Sequence, residues 1–159
     1  MELNSNFIIR EDMTNVAVWM PLNPRDETLL QRKDGGHPRW PNYWGLFGGG
    51  IESGEGGMDA LMREREEEVG KRMKLIGKPK FFASQIVEEG KGNLHRFANV
   101  NYFGVRFDGN LRNIELNEGA GFSVFDFDTL RRYNEAGFIV PPNYVAIERF
   151  YKSIKDGTF

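Results

Sequence analysis

A chain of 159 residues with a formal net charge of −2, 40% hydrophobic and 28% charged residues has the size and balance of one globular domain, 1–159, with a real core. The mild acidity argues against a broad nucleic-acid or anionic-membrane surface, and the absence of cysteine excludes disulfides, thiolate metal sites and a cysteine nucleophile. No apolar run is long enough to span a bilayer, no signal-peptide pattern opens the chain, and its two histidines, His37 and His95, lie far apart; the cytosol is the expected location and a histidine zinc site is disfavoured.

Residues 1–13 are polar and mixed, a strand or a loose lead-in. Residues 16–20 form an apolar run that reads as a strand, 23–26 a turn, and 28–32 the returning strand of a hairpin. A loop follows over 33–41, then a short strand over 43–47 that feeds a glycine turn. A helix is predicted from Gly57 to Val69, stopped by Gly70. Further strands are expected over 80–87, 95–107 and 122–127, with turns at 88–93 and 108–110. Asp128 is the expected N-cap of a short helix through Ala136, and Pro141-Pro142 opens a last helix over 143–155 with a broad apolar face that reads as core packing. Strands mixed with helices point to an α+β architecture with a mixed sheet. No repeat, low-complexity segment or linker marks a second domain.

The chemistry concentrates in 49–70. At 100° per residue, Glu64, Glu67 and Glu68 share one face of the predicted helix, while Met58, Leu61, Met62 and Val69 form an apolar stripe and Glu66 points away from both. Like charges at that spacing each cost a few tenths of a kcal/mol. A hard divalent cation is the natural compensation, and Mg²⁺ usually shares its oxygen shell with substrate phosphates. The preceding glycines let backbone approach a ligand, and the helix start favours an anion. A P-loop and a Rossmann fingerprint are disfavoured, because the glycine run lacks both the Gly-Lys-Ser/Thr ending and the Gly-x-Gly-x-x-Gly spacing.

Gly49, five residues, Glu55, seven residues, Arg63-Glu64, two residues, Glu67-Glu68, one residue, Gly70: this spacing resembles the signature of the Nudix hydrolases. Two positions depart from it, Arg65 and Lys71, where that family usually carries aliphatic residues. Arg65 falls in the apolar stripe and is expected to snorkel outward or meet a buried acid. The resemblance implies an αβα sandwich and a Mg²⁺-dependent hydrolase, with Mn²⁺ as an alternative ion, that cleaves the pyrophosphate linkage of a nucleoside diphosphate joined to another moiety. It implies Glu64, Glu67 and Glu68 as the metal-handling face, the Gly48 carbonyl as a further ligand, Arg63 as the orienter of a glutamate, and Glu55 as support for the loop–helix junction. The general base is either Glu64 or Glu118, with Glu115 behind them. Many members of the family pair as dimers, so a homodimer is one expected state.

Substrate contacts are read from the residues themselves. Trp40 and Tyr43, beside prolines in a loop, are the stacking candidates for a nucleobase, whereas Phe47 reads as core. Arg32 and Lys33 end a strand and are candidates to meet phosphates. A nucleoside triphosphate, ADP-ribose and a nucleotide sugar stay open as substrates. A catalytically silent nucleotide-binding module is the alternative from another class, and RNA-end hydrolysis is disfavoured by the lack of a basic run.

Overall fold

Strand β1 (Thr14–Leu22) sets the layering of the molecule, because its side chains alternate between two buried faces. Ala17 and Trp19 point into one apolar cluster, and Val18, Met20 and Leu22 into another. Residues 3–159 of the chain are described in the computed structural model. They form one seven-stranded mixed sheet with helices on both faces. Its central path runs β3 (Trp44–Gly45), β2 (Thr28–Arg32), β1, β6 (Arg96–Phe107), β5 (Leu75–Glu89). β4 (Phe47–Gly50) pairs with β1, and β7 (Gly121–Phe125) with β2. Among the strand pairs of the described residues, β1 and β6 run parallel and the rest antiparallel.

Helix α1 (Gly57–Val69) covers the first face through Ala60, Leu61 and Val69. Helices α2 (Phe127–Glu135) and α3 (Pro141–Lys155) cover the second through Leu130, Ile147 and Phe150. Each fully buried side chain of that size stabilises the fold by about 1.5–3 kcal/mol relative to exposure. The αβα sandwich is therefore the observed architecture.

Several elements differ from the sequence expectation. The glycines at 48–50 lie in strand β4 and not in a turn, with Val18 opposite Gly48 and Ala17 opposite Gly49. β4 thereby occupies the edge of β1 that a hairpin would use, so β1 and β2 meet only at Leu22 and Thr28. β5 starts at Leu75, well before residue 80, because the chain absorbs Gly77 and Pro79 in a bulge where the register with β6 shifts between Ile76 and Lys80. Asp126, not Asp128, caps α2: its carboxylate accepts the Thr129 N–H at 2.7 Å, which leaves Asp128 inside the first turn. The lead-in of residues 3–13 is mostly irregular and touches the sheet through an isolated bridge from Asn4 to Ser84.

Gly48 has φ of +155°, and a Cβ built on it would stand 2.3 Å from the Ala17 carbonyl oxygen and 2.8 Å from the Val18 Cα. Both neighbours are backbone of a central strand and have nowhere to go. Gly48→Ala is expected to cost about 2–4 kcal/mol, read as a lowered denaturation midpoint at unchanged slope.

Candidate active site

The acidic face of α1 lies across strand β4, and the glycines explain how. A Cβ on Gly49 would fall 2.2 Å from a carboxylate oxygen of Glu64, so the bare backbone there is the seat of that side chain. Gly49→Ala therefore should leave the fold in place, since a flexible side chain can yield, while turning Glu64 out of position. Activity is expected to fall by roughly tenfold or more with a melting curve close to that of the parent, because a displacement of about 1 Å is enough to spoil a reacting geometry.

Arg63 binds the acids together. Its Nε and one Nη donate to the two carboxylate oxygens of Glu55, each at 2.9 Å. The same Nη reaches the Gly50 carbonyl at 3.0 Å, and the other donates to Glu64 at 2.9 Å and to Glu67 at 3.4 Å. Glu55 in turn accepts the Glu52 N–H, which closes the turn before α1. The Arg63 hydrogen bonds, with that from the Glu52 backbone, hold the Glu55 carboxyl down to about 2. Glu64 is pulled both ways: partial burial raises its pKa most, and Arg63 opposes the rise.

Glu68 is the buried member of the face, with 1% of its surface exposed. Its Oε2 accepts from the Gln31 amide at 3.2 Å, and the Gly48 backbone beside it acts to lower its pKa. Its Oε1 has no hydrogen-bond partner among the described residues. Burial, then repulsion from Glu64, pushes its pKa up to about 8. Gln31 also reaches the Leu46 carbonyl at 3.4 Å and so ties Glu68 to the sheet. The signal for Gln31 was present in the sequence as a lone amide alternating with Leu29 on a buried strand face, but the strand alone does not say what it meets.

Glu118 reaches the same cleft from a loop. The Glu115 N–H donates to the Val69 carbonyl at 3.0 Å and the Asn117 N–H to the Glu68 carbonyl at 2.9 Å, so two end carbonyls of α1 are satisfied by this loop. That stitching sets Glu118 in a cleft shared with Gln31, Lys33, Gly48 and Glu68. Glu115 points elsewhere: its side chain lies against Gly70 and within 3.6 Å of Arg72. Glu67 is half exposed and its carboxylate lies 3.4 Å from Arg63.

Lys33 and Arg32 part company. Arg32 is exposed and donates to Asn42 at 3.3 Å, outside the cleft. Lys33 alternates to the inner side, lines the cleft, and has no ion pair within 4 Å among the described residues. Burial lowers its pKa most, while Glu68, Glu89 and Glu118 all act to keep its charge. His37 beside it accepts the Trp40 and Arg39 N–H groups on Nδ1, at 2.9 and 3.3 Å. Its pKa is lowered by burial first and then by Lys33 and Arg39, which fits a neutral ring.

A second cavity of about 240 Å³ opens from the same place, sharing Lys33, His37 and Gly48 with the carboxylate cleft. Trp40 lines it, with its indole N–H on Glu89 at 3.3 Å and Tyr43 edge-on at 5.4 Å between ring centroids. Tyr43 is not part of the cavity wall. Phe47 is fully buried against Trp19, as its core reading expects. Arg65 neither snorkels nor meets a buried acid: it stays buried, donates to the Met73 carbonyl at 3.0 Å, and leaves Nε without a partner. The nearest acid, Glu66, is half exposed and 3.9 Å away.

The donor set suits a hard divalent cation. It is all oxygen, it contains a buried carboxylate oxygen that no group among the described residues satisfies, and it pairs two glutamates whose mutual repulsion a cation would relieve. Among the described residues no three acidic or histidine side chains are already drawn together as a coordinating cluster; Arg63 holds Glu64 and Glu67 instead. No helix among the described residues is long and apolar enough to cross a membrane.

No curated protein matches the chain in sequence. Solved structures with the same fold include DR0079 from Deinococcus radiodurans, 18% identical with a TM-score of 0.66, covering 93% of this chain and 89% of that one. A MutT protein from Methanosarcina mazei Go1 is 20% identical with a TM-score of 0.57, covering 89% and 95%. The E. coli ORF135 protein is 20% identical with a TM-score of 0.63, covering 92% and 95%. At these identities they speak for the fold. The family model described as the NUDIX domain matches residues 12–146, from β1 through the start of α3, and with the glycine strand and acidic helix in the middle of that span the chain belongs to the Nudix family.

Proposed function

We propose that this chain is a Mg²⁺-dependent pyrophosphohydrolase acting on a nucleoside diphosphate linked to another moiety. The observation that supports it most is the buried, unsatisfied Oε1 of Glu68, in a cleft that also carries Glu118 and the unpaired Lys33. Glu64 and Glu68 would hold the cation, with Glu67 and the Gly48 backbone beside them. A bound Mg²⁺ would neutralise phosphate oxygens and acidify a water. The reaction adds a water oxygen to one phosphorus and breaks the bridging P–O bond: the base takes one water proton, the bonding pair leaves with the departing phosphate, and the second water hydrogen stays on the oxygen of the newly formed phosphate. We assign the base to Glu118, because Glu64 is tied to Arg63 at 2.9 Å whereas Glu118 has no ion pair among the described residues. Lys33 stands where a substrate phosphate would need a cation, and Trp40 lines the adjoining cavity, where its ring can meet a base or sugar.

The test is a phosphate- and nucleotide-release screen over nucleotide sugars, dinucleotides and nucleoside triphosphates, with and without Mg²⁺ or Mn²⁺. Metal-dependent cleavage at the diphosphate is expected. Glu118→Gln should lower kcat by about 10²–10⁴-fold. Tight nucleotide binding with no product under any metal would instead identify a binding module.

A further inference from the structure

The cavity beside the carboxylate cleft carries more positive charge than its own structure requires. Three cationic side chains, Lys33, Arg39 and Arg96, line it against one carboxylate, Glu89. Glu89 closes β5 and is nearly buried, with 11% of its side chain exposed. Its Oε1 takes Arg39 Nε at 3.1 Å, Arg96 Nε at 2.8 Å and an Arg96 Nη at 2.7 Å, and its Oε2 takes the Trp40 indole. One guanidinium would neutralise this carboxylate; two converge on it, one from the loop after β2 and one from β6. Both terminal nitrogens of Arg39 and the other Nη of Arg96 have no protein partner among the described residues. Neither arginine lines the carboxylate cleft, so the diphosphate being cut does not account for them; Lys33, at the junction, is the cation common to both spaces.

We propose that Arg39 and Arg96, oriented by Glu89, receive a second anionic group of the substrate, so that the enzyme prefers nucleoside diphosphate derivatives whose further moiety carries a phosphate or carboxylate over those ending in a neutral sugar. This rests on the hydrolase reading above for the position of the diphosphate. Guanidinium donors in fixed orientation match the planar carboxylate and the phosphate face, and charge-assisted bonds of this kind are the strong ones. Glu89 is then a positioning residue: it fixes the direction of both guanidinium groups and the Trp40 ring.

The test compares one pair matched except for charge with one in which a terminal phosphate replaces a neutral sugar. Dissociation constants for UDP-glucose and UDP-glucuronate, and for GDP-mannose and GTP, are measured by calorimetry with Mg²⁺, in the parent enzyme and in Arg39→Gln and Arg96→Gln. Ca²⁺ replaces Mg²⁺ where turnover is too fast. The anionic member of at least one pair is expected to bind roughly tenfold tighter or more in the parent, the glucuronate arm reporting a carboxylate and the GTP arm a phosphate. In either variant that ratio should drop toward one, and Glu89→Gln should reduce it with a smaller effect on kcat. Equal affinities across both pairs in the parent would overturn the proposal. So would a variant that weakens both members of a pair equally, since the arginines would then only brace the loop. Binding is read whether or not product forms: discrimination without hydrolysis would count against the hydrolase reading and leave this one standing.

Discussion

Glu68→Gln is expected to abolish turnover, by about 10³-fold or more, while making the metal-free protein more stable. The two effects have one cause. Glu68 is buried with one carboxylate oxygen unsatisfied, and its pKa is raised from an unfolded value of 4.5 to about 8, by burial first and Glu64 second. For an acid whose folded pKa is raised, the folded state binds the proton more tightly than the unfolded state does. The stability this gives is complete below pH 4.5 and is lost as pH rises through about 8. In chelator the parent should therefore weaken between pH 5 and 8 by something on the order of a few kcal/mol, and the glutamine variant, which cannot ionise, should keep its stability across that window. Mg²⁺ should raise the melting temperature of the parent most at the alkaline end, where the carboxylate is free to bind it, and should do little for the variant. Thermal melts at four pH values, with chelator and with Mg²⁺, read all of this. A variant no more stable than the parent at pH 8 in chelator would mean that Glu68 already has a partner; full activity in the variant would remove it from the chemistry.

The second large effect is expected at Arg63. Its donors fix Glu55, Glu64 and Glu67 at once, and through Gly50 they pin α1 to the end of β4. Arg63→Ala should lower kcat by about 10²-fold or more, because Glu64 loses the bond that orients it and faces Glu67 and Glu68 without a cation between them. Arg63→Lys should recover little of this: one ammonium cannot serve Glu55 with two parallel bonds and still reach Glu64. A separate readout distinguishes orientation from general damage. Glu55 is held down to about 2, chiefly by Arg63. A depressed acid contributes stability above its unfolded pKa of 4.5 that is lost only as pH falls through about 2. In Arg63→Ala the Glu55 carboxyl should titrate nearer its ordinary value in a carbon-detected NMR titration, and the variant, less stable than the parent at neutral pH, should lose less further stability than the parent does as pH falls from 4.5 through about 2. A low Glu55 pKa surviving in that variant would show that the turn backbone alone holds it.

How far the residues announce this site is uneven. The bounds of α1, its stop at Gly70 and the grouping of Glu64, Glu67 and Glu68 follow from helical periodicity and a glycine at positive φ, both local properties. The strand at 28–32 and the long strand ending at Phe107 are legible for the same reason, since alternation and β-branched content act within a few residues. The family signature adds the architecture, because its spacing is also written along one continuous stretch. Glycine, by contrast, reads as a turn whenever its partner is unknown. Only β1 lying alongside shows that Gly48 and Gly49 are strand, and only Glu64 lying over Gly49 shows why a side chain is absent there.

Legible along the chain were the helix with its acids grouped on one face and the spacing that belongs to the Nudix family, since both are written within one continuous stretch. It takes the folded chain to show that Glu68 is buried and half-satisfied, that Lys33 rather than Arg32 faces inward, and that Glu89 gathers Arg39, Arg96 and Trp40 from across the sheet. Those facts arise between residues up to 57 positions apart (Arg39 to Arg96), where burial and pairing depend on which strands meet and not on any local pattern.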